Sequence, residues 1–311
     1  VKFTARRIPT NVNVSGTHPL KEFAILAGGL LAIAVGLYLA LGLAVDLIVP
    51  RISMNLEKKL AGAFVGRLAE SDQATDATRS VQAIVDRLQA RCALLPYTIT
   101  VHVQEADAVN AAALPGGHML VFTGLLKKMT SENELAFVLA HELGHFAHRD
   151  HLRGLGRALV LLTVSTVLLG ADNDINGMIG QGMQLTELNF SRNQETRADE
   201  FALETLACHY GHVTGATDFF AKIPAEADPG RFGHYFASHP ENRRRIEHLK
   251  TMALQRGYPS GELRPLPADL EELDTPSPQL NGGMGLNQTP VKNIVFAVSQ
   301  SVLYMNQTFS R

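Results

Sequence analysis

Ser131-Glu-Asn-Glu-Leu-Ala-Phe-Val-Leu-Ala-His141-Glu142-Leu-Gly-His145 is the stretch that decides the fold. Ser131 followed three residues later by Glu134 is a capping box. Leu135, Val138 and Leu139 carry the helix it opens straight into the two histidines. Four helical residues advance about 400°. His141 and His145 therefore leave one face a single turn apart and can share a metal ion. Glu142 sits about 100° further round, where its carboxylate reaches a water beside the metal without binding the metal itself. So short a pattern also recurs by chance in ordinary helices, and a third ligand is needed to give it meaning.

Two candidates present themselves. His151 lies ten residues after His141, the metzincin spacing, but that pattern has glycine where this chain has His148. Without that glycine the helix is expected to continue, which leaves His148 and His151 as outer or solvent-facing histidines. The alternative is Glu195-Thr-Arg-Ala-Asp199, which sets two carboxylates at i and i+4 on one helix face. One can bind the metal while the other supports a histidine ring. A solvated acidic face would look similar, but Ala198, Phe201 and Ala202 mark this side as packed. Glu195 is the preferred third ligand.

The chain has 311 residues, enough for one sizeable domain with attachments. A formal net charge of -2 and a pI near 6.7 exclude the strongly basic surface of a nucleic-acid binder, so no nucleic-acid partner is expected. Cys92 and Cys208 are the only cysteines, too few for a disulfide framework or a cysteine-rich ribbon. A metal site must then use histidine and carboxylate, which suits one catalytic Zn2+ with an open position.

From Phe23 to Val45 no residue is charged, and the run is long enough to cross a bilayer as a helix. Gly42-Leu43-Ala44 offers a small-x-small cleavage site, but a signal peptide has a shorter apolar run and a shorter leader. The segment is read as a single-pass anchor, and no nearby cysteine offers a lipid attachment point. Lys2, Arg6, Arg7 and Lys21 slightly outweigh the charges on the far flank. This leans the N-terminus towards the cytoplasm and the catalytic domain outwards.

Asn55–Leu68 and Thr75–Leu88 have helical spacing, and Tyr97–Val103 alternates as a strand. Asn110–Phe122 is broken by Pro115-Gly116-Gly117 and is predicted to be a hairpin at a sheet edge, carrying Asn110 and His118 to a substrate. Ala158–Ala171 is uncharged but short for a span and suits a buried core helix; a membrane-dipping hairpin is the lesser alternative. Residues 191–209 are helical, and Ser238-His-Pro-Glu241 is a second capping box. Residues 258–290, rich in proline and glycine, read as a linker or a loop laid over the domain, with a lid across the cleft as one possibility. Val291–Tyr304 reads as a returning strand or short helix.

Four motifs in order, Asn110–Leu126, His141–His145, Ser191–Asp199 and Ser238-His239-Pro240 followed by Arg245-Ile246, resemble the M48 zinc metallopeptidases, the Ste24-, HtpX- and Oma1-like group, over about residues 55–250. The resemblance implies zinc on His141, His145 and Glu195, Glu142 as general base, and Asp199 as the partner of a ligand histidine. It also implies that His239 and Arg245 act near the reacting carbonyl. The chain departs from the multi-span members in having one clear span, which speaks against a prenylated substrate. It is more similar to the single-anchor bacterial type.

The expected fold is α+β, a mainly helical, gluzincin-like zincin domain with a small sheet, preceded by one transmembrane helix. Its expected parts are a polar segment (1–22), the anchor (23–49), the peptidase domain (50–257) and a tail (258–311). The expected function is a zinc metalloendopeptidase on protein or peptide substrates in membrane or envelope quality control. It would be held in a bacterial inner membrane through residues 23–45, with its domain on the periplasmic side. A zinc-binding, chaperone-like membrane protein is the competing reading, and Glu142 argues against it, because a protein that only binds needs no general base.

Overall fold

The computed structural model describes residues 18–59, 61, 75–96, 98–169, 190–222, 239 and 242–274. The expected features at residues 1–17, around Ser238 and over Val291–Tyr304 lie outside them. Among the described residues the protein is mostly helical, with one three-stranded sheet and one apolar N-terminal helix.

Helix α1 (Pro19–Ile48) has no buried residue, and with the 3-10 turn that follows it is long and apolar enough to cross a membrane. A short helical stretch at 54–59 follows, and then α2 (Asp76–Arg91), whose Thr75 side chain caps the Thr78 N–H. The strands are β1 (Thr100–Gln104), β2 (Ala111–Leu114) and β3 (His118–Phe122). Their order is β1-β3-β2, with β1 parallel to β3 and β2 antiparallel to it. The predicted hairpin is β2–β3, turned through Gly116 and Gly117 at φ +85° and +89°, a region that only glycine enters without strain. Among the described residues β2 is an edge strand and Asn110 directly precedes it, whereas His118 is not at an edge. His118 lies on the central strand, because β1 pairs with the face of β3 that a lone hairpin would leave open.

After α3 (Thr123–Leu126) comes α4 (Glu132–Ala147), buried from Glu132 to Phe146 and packed against α2, β2 and α6 (Arg192–Tyr210). Val81, Ile84 and Leu88 of α2 meet Leu135, Leu139 and Leu143 of α4 in the core, with Ala202, Leu203 and Leu206 of α6 completing it. Ser131 caps the Glu134 N–H as expected, but Glu134 does not close the box. Its carboxylate accepts from the Thr130 N–H and hydroxyl and from Lys222 Nζ instead.

The helix does not run on past His148. Arg149 takes a left-handed φ of +56° and α5 (Asp150–Leu169) starts in a new direction. A non-glycine residue there costs about 1–2 kcal/mol. The cost is offset by the Arg149 guanidinium, which donates to the Val49 and Ile52 carbonyls and to Glu57. Helix α5 corrects the expectation of a buried core helix. It packs on α1, with Gly156 against Val45 and Arg157 on Asp46, and leaves Leu159 and Leu161 exposed, because the core beneath α4 is already filled by α2 and α6.

Helices α7 (Asp218–Ala221) and α8 (Asn242–Arg256) and the tail complete the domain. Residues 258–267 run extended into α9 (Ala268–Glu271). Glu132 N–H donates to the Arg264 carbonyl, Arg264 N–H donates to Asn133, and Leu266 and Leu270 are buried. The described tail therefore straps the start of α4, about two and a half turns from His141, and does not cover the motif. The two cysteines, too few for a disulfide framework, form one bridge between the end of α2 and α6.

Candidate metal centre

Gly144 explains how the second helix reaches the first. A Cβ there would lie 2.9 Å from Ala198 Cα, so its absence lets α4 and α6 touch backbone to backbone. Helix α6 opens with a full capping box between Ser191 and Gln194, which fixes the start of the turn carrying Glu195.

His141, His145, Glu195 and His239 converge, each offering a donor atom within 4.8 Å of the others, and all four are buried. His141 Nε2 is 3.1 Å from His145 Nε2. Glu195 Oε1 is 3.3 Å from His145 Nε2, and Oε2 is 3.6 Å from His141 Nε2. Zinc bonds of about 2.0–2.1 Å in tetrahedral array put neighbouring donors roughly 3.3–3.4 Å apart. The three donors fit that ion, and the chemistry of two imidazoles and a carboxylate fits it too. His239 Nδ1 stands 3.3 Å from His141 Nε2 and 3.0 Å from both Glu195 oxygens. It joins the cluster of atoms that could hold a metal ion.

Each of the two motif imidazoles is backed on the nitrogen that faces away from the cluster. His141 Nδ1 lies 2.9 Å from Asp199 Oδ1, and His145 Nδ1 lies 3.3 Å from Asp150 Oδ2. The resemblance pointed to Asp199, and nothing in the sequence reading singled out Asp150. Its only signal was an acidic residue five positions after His145, which no helical spacing links to a ring across a turn. Gln194 Nε2 donates to Asp150 Oδ1 at 2.9 Å, and Phe190 stacks on the His145 ring at 3.8 Å.

Arg245 lies behind the donors. Its Nε and Nη2 grip the two Asp199 oxygens at 2.8 and 2.7 Å, and Nη1 is 2.6 Å from Glu195 Oε2. The guanidinium fork matches a carboxylate, and the cation also covers the Phe220 ring at 4.7 Å. In this arrangement Arg245 positions the two acids. Glu142 Oε2 accepts the Ala113 N–H at 3.0 Å, and Oε1 is 3.7 Å from His239 Nε2. In the β2–β3 register the Asn110 carbonyl accepts the Phe122 N–H, which turns the Ala113 N–H away from β3 to Glu142, while the Ala111 N–H donates to Asn110 Oδ1 at 3.0 Å. His118 Nδ1 is instead 2.9 Å from His102 Nε2, and nothing brings it to the cluster.

His151 is buried, not solvent-facing. Its Nε2 is 3.0 Å from Glu57 Oε1, away from the donors, and the His148 ring nitrogen Nδ1 binds the Gly144 carbonyl. Burial lowers the pKa of His141. Burial alone would do the same to His145, but hydrogen bonds to Asp150 and Glu195 raise it to about 9. Burial would raise the Glu195 carboxyl, yet the charges of His239 and Arg245 hold it well below the usual range.

Two histidines one helical turn apart, an intervening glutamate and a carboxylate from a second helix define a metal-dependent hydrolase centre of the zincin kind. The chain belongs to peptidase family M48, whose model matches residues 75–253. It is similar to bovine mitochondrial metalloendopeptidase OMA1, 30% identical over 169 residues (50% of this chain, 32% of the relative). It is also similar to two Escherichia coli K12 proteins. Metalloprotease LoiP is 31% identical over 154 residues, covering 48% of this chain and 60% of LoiP. Metalloprotease YcaL is 30% identical over 154 residues, covering 46% and 57%. The chain spans between about a third and three fifths of the length of these relatives.

Proposed function

We propose that the protein is a membrane-anchored, zinc-dependent metalloendopeptidase, with His141, His145 and Glu195 as ligands and Glu142 as general base. The observation that carries this reading is the convergence of the His141 and His145 Nε2 atoms, 3.1 Å apart, on one carboxylate, with Glu195 Oε1 3.3 Å from His145 and Oε2 3.6 Å from His141, close to the donor spacing around a tetrahedral zinc ion. Zinc bound there supplies a Lewis acid that polarises the scissile carbonyl and lowers the pKa of water towards about 7. Glu142 Oε1 takes the proton of the attacking water and passes it to the leaving amine. Asp199 and Asp150 hold the ligand rings in the tautomer that presents Nε2. Arg245 fixes Asp199 and Glu195, and His239 Nε2 faces the reaction space beside Glu142.

Substrate would lie extended along the outer edge of β2, pairing at Ala113. Backbone pairing of this kind tolerates varied sequence. The Ala113 N–H, now bound by Glu142, would be handed to the substrate as Glu142 turns to the water.

Helix α1 would hold the domain to a bilayer. The Cys92–Cys208 bridge supports a domain on an oxidising side, such as the periplasmic face of a bacterial inner membrane. Metalloproteases among the relatives and the anchor together support a role in the quality control of membrane or envelope proteins.

Glu142→Gln tests the chemistry. The variant is expected to keep one zinc per chain and to lose hydrolysis of an unfolded protein such as casein. Full hydrolysis by zinc-loaded Glu142→Gln would end the mechanism.

A further inference from the structure

Helix α5 changes character halfway along. Asp150, Arg153 and Arg157 occupy its first half, and from Ala158 to Leu169 no residue is charged. It leaves the domain antiparallel to α1, which enters the domain at Ile48. Gly156 lies so close to α1 that a Cβ there would meet Val45 Cγ1 at 2.7 Å. Arg157 Nη2 binds both Asp46 oxygens, at 3.0 and 2.9 Å, and Arg153 Nε is 3.7 Å from the same carboxylate.

Asp46 is the first charged residue of α1 after the uncharged run Phe23–Val45, and Arg157 is the last of α5 before its own. The two charges meet. Beyond them both helices are uncharged over the same stretch, about 18 Å on α5 at 1.5 Å per residue. Leu159 and Leu161 are 37% and 43% exposed there, and the Thr163 hydroxyl is satisfied inside the helix by the Leu159 carbonyl at 2.8 Å. A hydroxyl bonded within its own helix leaves no group that requires water.

We propose that residues 158–169 lie in the hydrocarbon of the bilayer beside the domain-proximal half of α1, and that lipid acyl chains cover the exposed face of α5. The inference rests on reading α1 as the membrane anchor. If α1 crosses the bilayer, a helix packed on it beyond the Asp46–Arg157 pair occupies the same slab. The described length of α5 beyond the pair, about 18 Å, reaches past the middle of a roughly 30 Å core. The pair then marks the membrane surface. Asp150, which supports His145, sits seven residues back along α5, about 10 Å away. The metal centre is thereby held near the bilayer, where polypeptide emerging from the membrane is the substrate within reach.

The chain contains no tryptophan, so one introduced indole reports its own surroundings. Leu161→Trp, with Leu159→Trp as a second probe, is compared in the full-length protein with Leu30→Trp in α1 and Leu254→Trp, 83% exposed on α8. The proteins are reconstituted in phosphatidylcholine–phosphatidylglycerol vesicles with and without brominated acyl chains. Quenching at 161 and 159 like that at 30, with none at 254, is the expected result. Quenching at 30 but none at 161 or 159 would overturn the proposal and show that protein, from this chain or a second copy, covers α5. No quenching at 30, 159 or 161 would overturn the anchor reading and the proposal together.

Discussion

Asp150 Oδ2 lies 3.3 Å from His145 Nδ1, the counterpart of the 2.9 Å contact between Asp199 and His141. Both aspartates are fully buried, and Asp150 is further held by Gln194. Asp150→Asn keeps the shape but replaces an acceptor with an amide that cannot support the Nδ1–H equally. Zinc affinity should fall by about 10- to 100-fold. Competition with a fluorescent chelator measures it, and an unchanged affinity would reduce Asp150 to a packing residue.

The third ligand is testable by contrast. Glu195→Ala should lose stoichiometric zinc, while His151→Ala should retain it, because His151 contacts Glu57 and not the donor cluster. Metal content of both purified variants decides the matter. Zinc kept by the first and lost by the second would reverse the assignment.

Glu57 gives the fold an acid-sensitive joint. Burial would raise its carboxyl, but hydrogen bonds from His151 and the Gly116 N–H, the charge of His151 and Arg149 bring it from 4.5 to about 2. A depressed pKa stabilises the fold above the unfolded value and loses that contribution as pH falls through the folded one. Glu57 should therefore contribute on the order of 3 kcal/mol above about pH 4.5, vanishing towards about pH 2. Glu57→Gln should lower the Tm of detergent-solubilised protein at pH 7 and differ little from the parent near pH 2.5. A gap of the same size at both pH values would contradict this.

The Cys92–Cys208 bridge closes a loop across 116 residues of sequence. Cys92→Ser with Cys208→Ser should remove about 2–4 kcal/mol and lower Tm by roughly 5–15 °C. Zinc should stay bound, since neither sulfur approaches the donors. Equal melting of the bridged and unbridged proteins would show that the bridge adds nothing to stability.

The sequence by itself determined what repeats at helical or strand intervals. His141 and His145 at i and i+4, Glu195 and Asp199 at the same spacing, and the Gly116-Gly117 turn of β2–β3 are local geometry, and a helix or a hairpin presents such residues at fixed angles whatever surrounds it. The uncharged run of α1 is legible for the same reason. Only the tertiary structure decided that Asp150 supports His145, because a left-handed Arg149 turns the chain between them, and that residue is held by carbonyls about a hundred positions earlier. Likewise Arg245 clamps Asp199, Glu57 captures His151, His118 sits mid-sheet and α5 lies along α1. These contacts join residues far apart in the chain, and their partners are fixed by how elements pack, which no periodicity within either segment encodes.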